Sequence, residues 1–456
     1  MNFFTPHYFK LKPPILGFAL SLAWASLDAA SASPAPALRG EIGAAVNRDY
    51  ASLDLLYKHL HTHPELSFQE KATAARLAAE LRQAGFEVTE GVGGFGVVGV
   101  MRQGVGPTVL IRADMDALPV KEQTGLAYES KAKATDPEGK TVDVMHACGH
   151  DIHMTVFAGA ARMVAQFKQH WSGTILMVAQ PAEERGGGAS LMLKAGLYER
   201  FPKPNFCVAL HAKADLPAGM IGMVEGYAMA NVDMLDITMR GVGGHGAWPH
   251  TTKDPVVLAA QAIMAYQTIV SRETEPGKAA VVTVGSIHGG TKHNIISDEV
   301  KLQLTLRSFT DEVRSNTLAS VKRISLSMAA AAGVPPDRQP IFEEKDEFVP
   351  ALYNDPPLTG RLRTAFTDWL GADRVTQVKP VMGGEDFSQF GRTVDKVPVC
   401  LFWLGTVDPS RYAASQKSGE ALPSLHSSFY APLPEPTIKT GVLAMTAAVL
   451  ELAGKR

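Results

Sequence analysis

Residues 108–116 read Thr-Val-Leu-Ile-Arg-Ala-Asp-Met-Asp, an apolar run that ends in two carboxylates, Asp114 and Asp116. Two further apolar runs share this layout and lead into metal-type ligands: 174–178 before Glu183 and Glu184, and 206–210 before His211. Apolar strands that alternate with helical segments are typical of a mainly parallel sheet covered on both faces. Because sites in such sheets form beyond the carboxyl ends of the strands, the three runs predict one site at that edge.

The sequence predicts a mainly parallel mixed α/β sheet flanked by helices, in a domain built from residues 45–225 and 342–456. A second domain inserted at 226–341 has the order β-α-β-β-α-β, which is typical of a ferredoxin-like α+β unit. Its predicted elements are strands at 231–240, 280–287, 299–306 and 339–343 and helices at 255–271 and 311–332. The apolar run at 397–404, far downstream, is expected to complete the first domain.

Composition and charge restrict the class of protein. The 456 residues are 46% hydrophobic and 20% charged, which is ordinary for a globular protein of more than one domain. The formal net charge of −2 leaves no basic surplus for a phosphate backbone, so nucleic acid is not expected as a partner. The three cysteines are an odd number and indicate no disulfide framework. Cys207 and Cys400 lie in apolar runs, whereas Cys148 stands between polar residues.

The N-terminus has the composition of a signal peptide at residues 1–32. Its parts are two lysines at 10 and 12, an apolar stretch at 15–24 and small residues before Ala32. A single membrane anchor is the alternative, but the apolar stretch is well short of the roughly 20 residues that cross a bilayer. Cleavage near Ala32 is expected, which leaves an exported protein, periplasmic or secreted, without a stable membrane anchor.

The segment His146-Ala-Cys148-Gly-His150-Asp151 places a thiol and an imidazole two residues apart, so that both can reach one metal centre. Thiolate and imidazole suit zinc and its neighbours. For this pair alone, a loop histidine beside a chance cysteine is the better explanation. The ligands that follow the other strands favour a metal site.

Adjacent carboxylates at Glu183 and Glu184 follow a strand, where neighbouring side chains point in different directions. One can bind a metal while the other acts on a water as general base. In isolation, a solvated acidic loop is the simpler explanation. His211 and His426 extend the ligand set, although a structural role is open for either. Neither Gly-x-Ser-x-Gly nor His-Glu-x-x-His occurs in the sequence, so a serine nucleophile or a thermolysin-like site is not indicated.

From about residue 50 to 450, the chain resembles the two-metal aminoacylase and carboxypeptidase family, in the branch of hippurate hydrolases and plant auxin-conjugate (IAA-amino acid) hydrolases. The matching motifs are His61-x-His63-Pro-Glu65-Leu, Arg112-Ala-Asp114-Met-Asp116-Ala-Leu-Pro, His146-Ala-Cys148-Gly-His150-Asp151, Gln180-Pro-Ala-Glu183-Glu184, Gly244-His245-Gly-Ala-Trp-Pro-His250 and Gly383-Gly-Glu385-Asp386-Phe387. The resemblance implies a catalytic domain like that of two-metal aminopeptidases, with a lid that also serves dimerisation.

The resemblance further implies two divalent metal ions per subunit, Zn, Mn, Co or Ni. The implied metal ligands are Cys148, His150, Glu184, His211 and His426. Glu183 would be the general base and Asp116 an acid that orients a ligand. His245 would reach the active site of the neighbouring subunit of a homodimer and stabilise the oxyanion, while Asn294 and Arg307 would hold the substrate carboxylate. The structural alternatives for these three are a turn histidine, a capping Asn and an Arg on a solvated strand face.

The implied reaction is hydrolysis of an N-acyl (acetyl, benzoyl or aryl-acetyl) amino acid to a carboxylic acid and a free amino acid. A carboxypeptidase or dipeptidase acting on short peptides is the alternative among enzymes, and a non-catalytic periplasmic metal- or peptide-binding protein is the alternative outside them. Glu183 argues against the last, because binding alone requires no general base. Three motif residues, His61, His63 and Glu65, stay outside the site, because packing at a helix end explains them as well as any chemistry. Asp114, Glu385 and Asp386 are expected near the metals or their supporting loops, without an assigned role.

Overall fold

A computed structural model describes residues 36–455, except for the side chains of 345–347. The predicted signal peptide at 1–32 lies outside the described residues. In chain order, the strands are β1 (Glu87–Val92), β2 (Gly96–Gln103), β3 (Thr108–Asp114), β4 (Lys133–Thr135), β5 (Thr141–Asp143), β6 (Gly173–Gln180), β7 (Phe206–Pro217), β8 (Ile221–Met223), β9 (Gly226–Met229), β10 (Asn231–Arg240), β11 (Gly244–His245), β12 (Ala280–Gly289), β13 (Ile295–Ile296), β14 (Glu299–Ser308), β15 (Ile341–Val349), β16 (Leu352–Asn354), β17 (Val375–Gln377) and β18 (Val399–Val407). The α-helices are α1 (Pro36–Thr62), α2 (Lys71–Gln83), α3 (His150–Gln166), α4 (Gly188–Lys194), α5 (Leu197–Arg200), α6 (Pro255–Thr268), α7 (Asp311–Ala331), α8 (Pro356–Leu370), α9 (Ser388–Gly391), α10 (Pro409–Ser418) and α11 (Pro434–Ala453).

The central sheet has eight strands in the order β1-β2-β6-β3-β7-β18-β8-β17. Strand β3 lies between β6 and β7 and is parallel to both, and β7 is parallel to β18. Antiparallel pairing of β1 with β2, β2 with β6 and β18 with β8 makes the sheet mixed. The prediction of a mainly parallel mixed sheet flanked by helices is confirmed.

Both faces of this sheet are covered, which explains the continuous apolar runs in its strands. Successive residues of a strand point to opposite faces. Along β3, Ile111 belongs to the core formed with α1, α2, α3, α8 and α11, whereas Leu110 belongs to the core formed with α4, α5 and α9. A strand with a core on each side has no polar face, so its sequence does not alternate.

Helix α11 lies in the larger core. Among residues 36–455 it is the one helix long and apolar enough to cross a membrane, with a mean hydropathy of 1.2, yet 78% of that window is buried inside the protein. It contacts α3 through two glycines: a Cβ on Gly159 would lie 2.5 Å from Cγ2 of Val442, and a Cβ on Gly441 would lie 2.6 Å from Cγ2 of Val156. We interpret α11 as a core helix whose packing on α3 depends on small residues.

A second sheet is antiparallel, with four strands in the order β12-β14-β10-β15. With α6 and α7 these strands follow one another as β-α-β-β-α-β, which confirms the predicted ferredoxin-like unit. This unit has its own core, to which Leu235 of β10, Leu258 of α6 and Val321 of α7 belong. Buried residues alternate with more exposed ones along β14, so one face of this sheet carries the core.

The last strand of the lid sheet differs from the prediction. Strand β15 runs from Ile341 to Val349, whereas the predicted strand covers 339–343 and the predicted lid ends at 341. It extends further because it pairs with β10 as far as the Val232–Val349 pair. The predicted domain boundary between residues 341 and 342 therefore falls inside β15, a strand of the lid sheet. The ribbon of β11 and β13 was also not predicted; its strands are only two residues long.

Gly159→Ala is expected to lower the free energy of unfolding by about 1–3 kcal/mol, because the added methyl group forces α3 and α11 apart. Gly360→Ala is the matched control. Gly360 lies inside α8, where a Cβ would have no described atom within 4 Å, and alanine is the better helix former by about 1 kcal/mol. Urea unfolding followed by circular dichroism measures both. Wild-type stability in Gly159→Ala would contradict the close helix contact.

Candidate metal centre and active site

The candidate ligands meet at one edge of the central sheet, beyond the carboxyl ends of β3 and β6. His150 is the first residue of α3, Glu184 follows β6, and His426 lies in the loop before α11. His211 does not end its strand as predicted, because β7 continues beside β18 as far as Pro217. The site is therefore assembled from segments that are far apart in the sequence.

Two groups of metal-type ligand atoms share Cys148. Cys148, His150 and His211 form one group, and Cys148, Glu184 and His426 form the other; within each group the atoms lie within 4.8 Å of one another. Sγ of Cys148 lies 3.6 Å from Nε2 of His211, and Oε1 of Glu184 lies 3.5 Å from Nε2 of His426. The structure thus brings together the five residues predicted as metal ligands.

Hydrogen bonds determine which ring nitrogens face this cluster. Nδ1 of His150 donates to the backbone oxygen of Asp116 at 2.8 Å, and Nδ1 of His211 donates to that of Ala212 at 2.8 Å. Since a carbonyl oxygen only accepts, Nε2 is the nitrogen left for the cluster in both rings. Burial lowers the pKa of His211 well below its usual value, so its Nε2 carries the lone pair that a metal requires.

The cluster fits divalent metal ions. Nε2 of His150 and Oε1 of Glu184 are buried and have no hydrogen-bond partner among the described residues, which is uncommon for buried polar atoms. Burial alone would lower the pKa of His150, but Asp114 and Asp116 raise it to about 10, a sign of strongly negative potential. Thiolate, imidazole and carboxylate donors together suit zinc and neighbouring transition metals.

Asp116 holds the loop that follows β6. Its Oδ1 accepts the backbone N–H of Glu183 at 3.1 Å, and its Oδ2 accepts that of Glu184 at 2.9 Å. Ser67 donates to the same Oδ2 through its hydroxyl at 2.6 Å. Because the backbone oxygen of Asp116 also accepts from His150, this one residue orients both adjacent carboxylates and a ligand histidine.

Glu183 borders a cavity of about 580 Å³ together with Cys148, Glu184 and His426. This volume suits a small-molecule substrate. Burial, followed by the charges of Glu385 and Glu184, raises the pKa of Glu183 well above its usual value. A carboxylate with a raised pKa beside the ligand cluster is suited to accept a proton.

A buried ion network lies near Glu183 and joins the three acids expected beside the metals to Arg112, for which no role was predicted. Arg112 donates to Asp114 at 2.7 Å, to Glu385 at 2.8 Å and to Asp386 at 3.1 Å. All four side chains have no exposed surface, and their pairing offsets the cost of burying charge. An arginine inside an otherwise apolar strand was the available signal, because it requires buried acids nearby.

His153 lies beside the cluster, yet its ring nitrogens are both engaged. Its Nδ1 donates to Oδ1 of Asp114 at 2.6 Å, and its Nε2 accepts the backbone N–H of Ala212 at 2.7 Å. Asp114, His150 and His153 also lie within 4.8 Å of one another. We interpret His153 and Asp114 as supports of the metal centre, because neither nitrogen of His153 is left for a metal.

The first sequence motif lies at the end of α1. His61 is buried, with Nδ1 2.7 Å from Asp151 and Nε2 3.1 Å from Glu122. Burial opposes its charge, but these two acids raise the pKa of His61 to about 10. His63 is more exposed, and Glu65 accepts two backbone N–H groups at the start of α2. His61 thus links α1 to the first turn of α3 and to Glu122, beyond the predicted packing role.

The lid contributes Arg307 to the cavity wall, next to Val232. His245 and Asn294 are not among the described residues that border this cavity. His245 pairs with Ile295, the neighbour of Asn294, on the ribbon of β11 and β13, where it is exposed. The structure therefore separates His245 and Asn294 from the metal centre of their own chain.

The fold and this cluster define the class: a two-domain α/β hydrolase with a two-metal centre beside an inserted lid. The sequence profile of Peptidase family M20/M25/M40 matches residues 110–421, and the chain belongs to this family.

Relatives of known name support this placement. Thermostable carboxypeptidase 1 from Saccharolobus solfataricus is 35% identical over 402 residues, covering 87% of this chain and 94% of the relative. N-acetyl-L-cysteine deacetylase from Bacillus subtilis is 35% identical over 354 residues, covering 76% and 79%. IAA-amino acid hydrolase ILR1-like 2 from Arabidopsis thaliana is 34% identical over 368 residues, covering 79% and 78%. The crystal structure of Bacillus subtilis YXEP, a dinuclear metal binding peptidase from the M20 family, has a TM-score of 0.71 at 28% identity and covers 89% of this chain and 99% of its own. The resemblance found in the sequence motifs is confirmed.

Metal content tests whether Cys148 is a ligand in both metal-binding groups. We expect about two divalent ions per chain in the wild type, about one in His426→Ala and fewer than one in Cys148→Ala, because the thiolate belongs to both ligand groups. His250→Ala, which changes an exposed lid histidine, is the control and should keep both ions. Mass spectrometry of the metals after gel filtration measures all four proteins. Two ions retained in Cys148→Ala would exclude the thiol as a shared ligand.

Proposed function

We propose that this protein is a metal-dependent amidohydrolase that cleaves N-acyl amino acids into a carboxylic acid and a free amino acid. The observation that carries the proposal is the shared cavity, which Glu183 borders beside the ligand cluster and Arg307 borders from the lid. A guanidinium group at this place suits the carboxylate of an amino acid, which it can bind through paired hydrogen bonds. A cavity of about 580 Å³ has room for such a substrate.

The proposed chemistry places proton transfer on Glu183. Two divalent ions, when bound, polarise the scissile carbonyl and the attacking water. Glu183 takes a proton from the water and donates it to the leaving amine, so one carboxyl acts first as base and then as acid. Asp116 keeps this carboxyl in place by accepting its backbone N–H at 3.1 Å.

The rest of the cavity wall favours an acyl group over a second amino acid. The apolar side chains on the wall are Val232, Met234, Val349, Met382 and Leu425. A charged α-amino group would need acceptors, but Glu385 and Asp386 pair with Arg112, and Glu184 belongs to the ligand cluster. A carboxypeptidase or dipeptidase is the second candidate, favoured by the relative named thermostable carboxypeptidase.

Amine release from N-acetyl, N-benzoyl and indole-acetyl amino acids and from dipeptides tests the function. With added Zn, Mn or Co, we expect faster turnover of the N-acyl amino acids, and loss of activity after EDTA treatment. Glu183→Gln is expected to lower kcat about 10²- to 10⁴-fold with metal retained, because it removes the proton acceptor. Glu199→Gln, a change at an exposed acid, is the control. Faster cleavage of dipeptides would favour the peptidase, and bound metal without turnover would favour a binding protein.

We further propose a homodimer formed through the lid, in which His245 stabilises the oxyanion in the partner's active site and Asn294 helps to bind the substrate carboxylate. The exposure of His245 and its separation from the cavity of its own chain support this role. Large apolar side chains of the same domain are also exposed, among them Trp248, Met264 and Ile295. Exposed apolar surface of this kind is typical of an association site.

Subunit complementation tests the role of His245 in the partner. His245→Ala and Glu183→Gln should each have low activity, because each lacks one group in every active site. When the two are unfolded together and refolded, random pairing should recover about a quarter of wild-type activity, since half of the dimers are mixed and each has one complete site. Recovery no greater than the sum of the separate variants would exclude action across subunits.

We also propose export with cleavage near Ala32. The two lysines, the apolar stretch at 15–24 and the small residues that follow support it. Mass spectrometry of protein from the periplasmic and extracellular fractions is expected to give an N-terminus close to Ser33. Protein that stays in the cytoplasm with Met1 attached would contradict export.

A further inference from the structure

The loop that carries Glu183 begins with an unusual backbone conformation. Ala182 has a φ of 49°, in the left-handed region that residues other than glycine rarely adopt. It is completely buried and therefore does not belong to an exposed turn. A conformation of this kind persists only where the surrounding contacts hold it.

Within the loop, the backbone oxygen of Ala182 accepts the N–H groups of Gly187 and Gly188, and its own N–H donates to Glu70. Oε1 of Glu70 accepts this N–H at 2.7 Å, across 112 positions in the sequence. Glu70 occupies the N-cap position of α2, yet its side chain makes no capping hydrogen bond to that helix. It is fully buried, and its Oε2 has no hydrogen-bond partner in the part of the chain that the structure describes. Burying a carboxyl group costs free energy unless hydrogen bonds compensate it. Since Glu70 does not cap its own helix, its bond to Ala182 is the contact that its burial serves.

The turn at Ala182 determines where the next two side chains go. Beyond it, the backbone N–H groups of Glu183 and Glu184 both donate to the carboxylate of Asp116. Oε1 of Glu184 lies 3.5 Å from Nε2 of His426. A carboxylate oxygen of Glu183 lies within 4.8 Å of those of Glu385 and Asp386. Two adjacent carboxylates can take these separate roles only if the backbone before them is fixed.

We propose that Glu70 is a positioning residue: by accepting the N–H of Ala182, it fixes the left-handed turn that directs Glu183 and Glu184 to different partners. Ser67 acts from the same segment, because its hydroxyl donates to Asp116 at 2.6 Å. The proposal rests on the function proposed above, because the turn affects catalysis only through the roles given there to Glu183 and Glu184.

Glu65 offers a matched control within the same segment. Its carboxylate also accepts backbone N–H groups, those of Ala72 at 3.1 Å and Thr73 at 2.7 Å. Both belong to the first turn of α2 and lie outside the loop that carries Glu183 and Glu184. Removal of the Glu65 side chain therefore takes away hydrogen bonds of the same kind without removing a hydrogen bond to the turn at Ala182.

Steady-state kinetics on the best substrate of the panel distinguish a positioning role from a structural one. Glu70→Ala is expected to lower kcat about 10- to 100-fold with little change in KM, because the acids lose their alignment while the cavity keeps its binding groups. Glu70→Gln should restore most of kcat, since the amide oxygen accepts the same N–H. Burial and then Asp116 raise the pKa of Glu70 to about 7, so the neutral amide is a close mimic. Glu65→Ala should lower Tm and keep kcat.

A second variant tests the turn itself. Glycine adopts a left-handed conformation without strain, so adding Ala182→Gly to Glu70→Ala is expected to recover part of the lost kcat. A double variant no faster than Glu70→Ala, or a loss that Glu70→Gln does not restore, would overturn the proposal. Equal kcat values for Glu70→Ala and Glu65→Ala would overturn it as well.

Zinc affinity, measured without substrate, tests the role of Glu70 independently of whether the protein cleaves N-acyl amino acids. Zn²⁺ is titrated into each protein against a chromophoric chelator, without substrate. Because the turn also directs Glu184, Glu70→Ala should bind zinc about 10-fold more weakly than Glu65→Ala. If the wild type cleaves nothing on the panel, the proposed function fails, while this difference in affinity still decides the role of Glu70. Equal zinc affinities would count against it.

Discussion

Parallel pairing of β3 between β6 and β7 is the constraint on which the rest of the structure depends. Parallel neighbours place their carboxyl ends at one edge of the sheet, and this pairing brings Asp114 at the end of β3 beside Gln180 at the end of β6. The loops that leave this edge carry Asp116, Glu183 and Glu184. A change in the order of these three strands would separate the ligands even if every residue were kept.

The cost of burying many charged groups at this edge is met by specific pairing. Arg112 contacts three acids, and His61 contacts two others, Glu122 and Asp151. Breaking such a buried pair leaves an uncompensated charge and costs roughly 3–5 kcal/mol. These supports fix the positions of the residues that face the cavity. His150 and Glu184 differ, because each keeps one buried atom that has no hydrogen-bond partner within residues 36–455 and belongs to the ligand cluster.

The lid and the catalytic domain are joined next to this network. The backbone N–H of Ala230, just before β10, donates to the oxygen of Gly383 at 2.9 Å. A Cβ on Gly384 would lie 2.2 Å from Cγ2 of Val232, so the close approach of the lid requires glycine. The same loop leads directly to Glu385, a partner of Arg112. The segment that receives the lid is therefore also the segment that pairs with Arg112.

The sequence by itself determined the fold class and the ferredoxin-like unit, because apolar runs and turns are local properties of the chain. The ligand set came from the resemblance of its motifs to a family, and it stays a prediction whose members the structure brings together. The sequence could not determine contacts between distant segments, such as that of Arg112 with Glu385 or of Glu70 with Ala182. It also missed the continuation of β7 beyond His211 and of β15 to Val349, because strand ends depend on the pairing partner as much as on the strand. Alanine does not prefer the left-handed conformation that Ala182 adopts, and its stabilisation includes a carboxyl 112 positions away in the sequence, so this turn could be decided only by the tertiary structure.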